Sequence, residues 1–160
     1  MTILVIHGPN LNLLGTREPE VYGKKTLKEI DAMIVAHARK LGIDVRAAQT
    51  NHEGVIIDLI QTAAGDGIDA IVLNPGAYTH TSVAIADAIR SVRTPVVEVH
   101  LTNLWARGGD RTRSITASAC RGVVMGMGAE SYLLGLEAAM ASVPTTRRSP
   151  KQRSTRRRTR

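Results

Sequence analysis

The sequence predicts an α/β fold of three layers, with helices on both faces of a five-stranded parallel sheet. Two observations predict it. Short apolar runs of strand length alternate with stretches of helical spacing along the whole chain. One of the runs, Ile68 to Leu73, is apolar almost throughout, as a strand covered on both faces must be.

Ile3 to Ile6 reads as the first strand, stopped by Gly8-Pro9. The segment Gly8 to Gly23 then has no helical or strand period. Loops of that length inside a compact domain are uncommon and usually functional. Gly15, Pro19 and Gly23 punctuate it, so parts of it can swing as a lid. Thr26 and Glu29 make a capping-box pattern that opens a helix. Its apolar positions are Ile30, Met33, Ile34, Ala38 and Leu41, and Gly42 ends it. Ile43 to Ala48 is the second strand. A helix through Ile56, Ile57, Leu59, Ile60 and Ala63 follows the polar junction Thr50 to Gly54. After the third strand, Asn74 to Ser82 is a turn and helix entry, and the helix runs to about Ser91. Within it His80 and Asp87, seven residues apart, are expected to share a helical face. Val96 to Val99 is the fourth strand, His100 to Ala117 a second irregular stretch, Val123 to Met125 the fifth strand, and Ala129 to Met140 the last helix. Five such units suggest the flavodoxin-like strand order 2-1-3-4-5. Ligands then sit beyond the carboxyl ends of the strands, where the order reverses. The segments placed there carry Asn12, Arg17, Tyr22, Asn74, His80 and His100.

Composition narrows the class. The chain of 160 residues suits one domain, expected over residues 1–143. Phe is absent, so the core must be aliphatic and each Tyr or Trp has to be explained singly. Cys120 is the only cysteine, which excludes a disulfide within the chain and fits a reducing, cytoplasmic setting. No apolar run approaches the roughly 18 residues that a membrane-spanning helix needs. The start of the chain lacks the basic region of a secretion signal. The net charge of +7 belongs to one end. Residues 147–160 hold eight of the 21 Lys and Arg and no acid, leaving thirteen basic against fourteen acidic side chains elsewhere. Residues 144–160 are expected to form a disordered Arg-rich tail.

The first turn, G-P-N-L-N-L-L-G, is neither a dinucleotide nor a P-loop pattern. The histidines His7, His37, His52, His80 and His100 have no ligand spacing along a helix, so no metal is expected. Glu98 and His100 alternate on a strand and face the same side. They read either as a general acid with its orienting carboxylate or as a strand-end ion pair with no chemistry. Arg17 and Tyr22 read either as a phenolate stabilised by a guanidinium or as two solvated surface residues. Arg107, Arg111 and Arg113 are an exposed basic loop or contacts for a carboxylated ligand.

Four motifs remove most of that ambiguity: G-P-N-L-N-L-L-G-x-R-E-P-x-x-Y-G from Gly8, N-H-E-G from Asn51, N-P-G-A-Y-T-H-T-S from Asn74 and E-V-H-L-T-N from Glu98. In this order and spacing the sequence resembles the type II 3-dehydroquinate dehydratases over about residues 3–141. The resemblance implies a cofactor-free trans-dehydration of 3-dehydroquinate to 3-dehydroshikimate through an enolate. It implies Tyr22 as the base, Arg17 lowering its pKa and stabilising charge, and Asn12 holding the water on the enolate. His100, poised by Glu98, is the implied acid. The substrate carboxylate would meet the amides of Leu101 and Thr102 and the Thr102 hydroxyl. Asn74, His80 and Arg111 would hold ring hydroxyls. Asp87 would reach a neighbouring subunit's site, because the family builds dodecamers from four trimers. Thr102 stands where the family more often has Ser, and Asp110 where it often has an aromatic residue. The Gly108-Gly109 pair loosens the loop that carries Arg111.

A second reading is a binding module whose basic tail attracts polyanions non-specifically. The tail lacks aromatics for base stacking. Truncation at Thr146 separates the two readings: an enzyme keeps its turnover.

Overall fold

The computed structural model describes residues 1–16 and 24–144. Arg17 and Tyr22 lie outside them, as does the expected tail from Thr145 onward.

The sheet has five parallel strands in the order β2-β1-β3-β4-β5, as expected. These are β1 (Thr2–His7), β2 (Asp44–Gln49), β3 (Ala70–Asn74), β4 (Val96–His100) and β5 (Gly122–Met125). The helices are α1 (Leu27–Leu41), α2 (Glu53–Thr62), α3 (Val83–Ser91) and α4 (Glu130–Ser142). Each lies within a few residues of its expected place.

The strand period of two divides the core. Ile3, Val5, Ala70, Val72, Val97 and Val99 pack under α1 and α4. Leu4, Ile6, Ile71, Leu73 and Val96 pack under α2 and α3. By the same alternation His7 and Asn74 extend the first face, and Glu98 and His100 the second. β3 and β4 are buried at every position, whereas the edge strand β2 has none buried.

Local chemistry sets the helix ends. The Thr26 hydroxyl accepts from the Glu29 amide while the Glu29 carboxylate accepts from the Thr26 amide, a reciprocal cap. Gly42 closes α1 in the left-handed conformation that a residue with a Cβ avoids. The Ser82 side chain caps α3.

One expectation is corrected here. His80 does not share a helix face with Asp87. It ends a separate 3-10 turn, Gly76–His80, and α3 begins only at Val83, after the Ser82 cap. Thr81 at φ −128° and Ser82 in an extended conformation, φ −90° and ψ 98°, break the path between the turn and the helix. The stretch after β4 is also more ordered than its missing period suggests. It holds three 3-10 turns, Leu104–Ala106, Gly109–Thr112 and Thr116–Ala119.

Candidate active site

The carboxyl ends of β1, β3 and β4 open into a cleft of about 670 Å³, partly open to solvent. Asn74, His80, His100, Leu101, Thr102 and Arg111 line it, together with Pro9, Leu11, Leu14 and Arg107. Six of the expected site residues thus meet at the place that the strand order singled out.

Close backbone packing brings the first loop to the turn after β3. The Gly8 amide donates to the Asn74 carbonyl at 2.8 Å. A Cβ on Gly8 would lie 2.6 Å from the Pro75 backbone, so glycine is required. Asn51 holds the loop from the other side. Its side-chain oxygen accepts from the Asn10 amide at 3.0 Å and from Gln49 at 3.1 Å. Its carbonyl accepts from the Tyr78 hydroxyl at 2.9 Å. The N-H-E-G motif therefore ties two site loops together.

His100 stands at the end of β4, 5% exposed, with Nε2 at 2.7 Å from Glu98 Oε1. Glu98 is fully buried and held by more than the imidazole. Thr79 and Ser114 donate to Oε1 at 2.9 and 2.8 Å, and Thr116 donates to Oε2. Burial by itself would raise the Glu98 pKa. The hydrogen bonds and charge of His100, with those of Thr116 and Ser114, outweigh it, and the carboxyl falls below its ordinary value. Glu98 is therefore an anion that can fix the imidazole and stabilise its charged form. Cys120 lies near the same carboxylate. Burial first, and then the Glu98 charge, push its thiol well above the ordinary range, which leaves it a poor nucleophile.

The His80 Nδ1–H donates to the Arg113 carbonyl at 2.7 Å. That bond fixes the tautomer and leaves Nε2 for the cleft. Asn74 is 2% exposed; its Oδ1 accepts from the Gly76 amide at 3.1 Å. The carbonyls of His100 and Leu101 accept from Gly126 at 3.3 Å and Gly128 at 2.9 Å, so the peptides beside Thr102 are anchored to the loop after β5. Among the described residues no Lys lines the cleft.

Two expected residues lie elsewhere. Asn12 is exposed beside the cleft; its Oδ1 accepts from Gln49 Nε2 at 3.4 Å. Asp87 faces outward from α3 and pairs with Arg90 at 3.1 Å. Among the described residues no three His, Cys, Asp or Glu side chains gather as a metal site, and no helix is long and apolar enough to cross a membrane.

Sequence reasoning missed the hydroxyls of Thr79, Ser114 and Thr116, and a buried group behind Asn74 formed by His7, Asp31 and Tyr132. Only Tyr132 carried a signal. It shares a helical stripe with Leu136 and Ala139, which places a phenol in the core, where its hydroxyl needs partners.

Known proteins share this sequence and fold. A family model described as "Dehydroquinase class II" matches residues 1–140. The chain is 57% identical over 134 residues to a 3-dehydroquinate dehydratase of Thermus thermophilus, covering 84% of this chain and 90% of that one. It is 55% identical over 138 residues to the Geotalea daltonii protein of the same name, covering 86% and 95%. The crystal structure of a type II dehydroquinase from Butyrivibrio crossotus superposes with a TM-score of 0.85 at 44% identity, covering 88% of this chain and 97% of that one. With its sequence and its fold in agreement, the chain belongs to the class II dehydroquinase family.

Proposed function

We propose that this protein removes water from 3-dehydroquinate, in trans, to give 3-dehydroshikimate through an enolate. The observation that carries the reading is the His100–Glu98 pair at the edge of the cleft, a proton donor with an anionic support. Family membership supplies the reaction, and the cleft supplies groups suited to each stage.

Tyr22, as phenolate, takes a proton from the carbon beside the ketone. Arg17 stabilises that phenolate and, with a water held by Asn12, the negative charge that moves onto the ketone oxygen. The enolate then collapses, the carbon–oxygen bond on the opposite face breaks, and His100 gives its proton to the departing hydroxyl. Net proton return from Tyr22 to His100 restores the enzyme, so no external acid, base or cofactor is consumed. Leu101 and Thr102 receive the substrate carboxylate, and Asn74, His80 and Arg111 the ring hydroxyls.

In the proposed assembly, four trimers form a dodecamer and Asp87 reaches a neighbouring subunit's site. Its exposed position on α3 is compatible with that role. The enzyme is placed in the cytoplasm, in keeping with the lone thiol of Cys120. The basic residues after Pro144 attract polyanions without contributing to turnover.

Ultraviolet absorbance of the conjugated enone tests the reaction directly. Adding 3-dehydroquinate should raise it at the same rate with and without chelator. A flat trace would overturn the assignment, and a chelator-sensitive rise would overturn the cofactor-free mechanism.

A further inference from the structure

A buried phenol lies behind the cleft, on the face of the sheet opposite Glu98. Tyr132 is 0% exposed and packs in an otherwise aliphatic core. Its oxygen lies 2.8 Å from His7 Nδ1 and 3.1 Å from Asn74 Nδ2. On the far side of the imidazole, His7 Nε2 lies 2.9 Å from Asp31 Oδ1. His7 and Asn74 are register partners on β1 and β3. The four side chains therefore link α1, β1, α4 and β3 in one line that ends at a residue of the cleft.

The direction of each bond follows from the two ends. The Gly76 amide can meet only an acceptor, so Asn74 presents Oδ1 to it and its NH₂ to Tyr132. The phenol oxygen accepts there and sends its own hydrogen to His7 Nδ1. His7 then carries a hydrogen on Nε2, facing the Asp31 carboxylate. Reversing any one bond would set donor against donor or leave the phenol hydrogen without an acceptor among the described residues. Burial raises the Tyr132 pKa against the opposing hydrogen bond from Asn74, with a smaller upward contribution from the Asp31 charge. The phenol therefore stays protonated and always has one hydrogen to donate. A carboxamide otherwise turns about a broad, two-fold terminal torsion.

We propose that Asp31, His7 and Tyr132 are positioning residues that hold the Asn74 carboxamide in a single orientation toward the substrate. None of the three lines the cleft. The inference rests on the reading that Asn74 contacts the substrate. The bonds described leave one Asn74 N–H and one lone pair for that contact. Without the phenol hydroxyl, the Gly76 amide alone holds the carboxamide, and the turned state, in which the carbonyl stands where an N–H is required, gains population. Because that contact serves substrate and transition state alike, the loss should appear in KM and not in kcat.

The test is a set of double-mutant cycles in the full-length assembled enzyme, with 3-dehydroquinate as the probe. Tyr132→Phe should raise KM about three- to tenfold, the range of one lost hydrogen bond, with kcat within about twofold. Asp31→Ala, at a half-exposed position on α1, should raise KM in the same direction by about twofold. It keeps the proposal testable if Tyr132→Phe fails to fold. Neither change should raise KM further in an Asn74→Ala background. Additive losses in that background, a fall in kcat at constant KM, or a silent Tyr132→Phe would overturn the relay alone. An Asn74→Ala enzyme with unchanged KM would overturn the contact reading and the relay together.

Discussion

His100 Nε2 and Glu98 Oε1 stand 2.7 Å apart on one face of β4, and three hydroxyls from two other segments converge on the same carboxylate. The imidazole is thus oriented by an anion that is itself immobilised. Glu98→Gln keeps the shape and removes the charge. It should lower kcat about 10- to 100-fold, the scale of a hydrogen bond to a charged group. His100→Ala should cost about 10²- to 10⁴-fold, as loss of a general acid. Steady-state kinetics with 3-dehydroquinate checks both, and equal losses in the two variants would mean that Glu98 does more than orient.

Tyr22→Phe should nearly abolish turnover and leave the assembly intact, because Phe keeps the aromatic ring and lacks only the oxygen. Enone formation together with size-exclusion chromatography tests this. Substantial residual activity would assign the proton to another group.

The depressed Glu98 pKa makes stability depend on pH in a defined direction. As pH falls below the unfolded value near 4.3, the unfolded chain takes up a proton at Glu98 before the folded one does. The contribution is therefore complete above that value. It is lost progressively down to the lower folded value. Urea midpoints measured across this acid window should fall less steeply for Glu98→Gln than for the parent. Parallel slopes would contradict the assignment.

Thr94 precedes β4 and is buried with a hydroxyl that has no hydrogen-bond partner among the described residues. Thr94→Val replaces that hydroxyl with a methyl group of similar size. It should stabilise the protein by about 1 kcal/mol, which raises Tm by about 2–4 °C in a chain of this length. Calorimetry would show it, and a lower Tm would mean that the hydroxyl has a partner in solution.

Much of this architecture was legible because its signals are local. The alternation of strand and helix patterns gives the sheet, and the spacing of Glu98 and His100 puts them side by side on a strand. Asn74, His80 and Thr102 could be grouped through the motifs that carry them, and Arg111 through the family resemblance alone. What escaped is assembled from distant segments. Thr79, Ser114 and Thr116 reach Glu98 only because a turn after β3 and a loop after β4 fold against each other. A lone hydroxyl in a polar stretch gives no hint of that. His80 was placed on a helix because 3-10 turns leave no 3.6-residue period to mark where the helix starts. His7 was weighed only among the histidines that lack metal-ligand spacing, and its partners are 24 and 125 residues away.

Because the strands alternate, the proton donor is braced from the α2–α3 layer and the Asn74 carboxamide from the α1–α4 layer. The sheet insulates one support from the other. On the proposed roles, changes to the α1–α4 layer retune how tightly a polyol ring is gripped without disturbing the acid, and changes to the α2–α3 layer retune the acid without loosening the grip. The proposed mechanism thus makes affinity and turnover separately adjustable by substitutions that never touch the bound molecule.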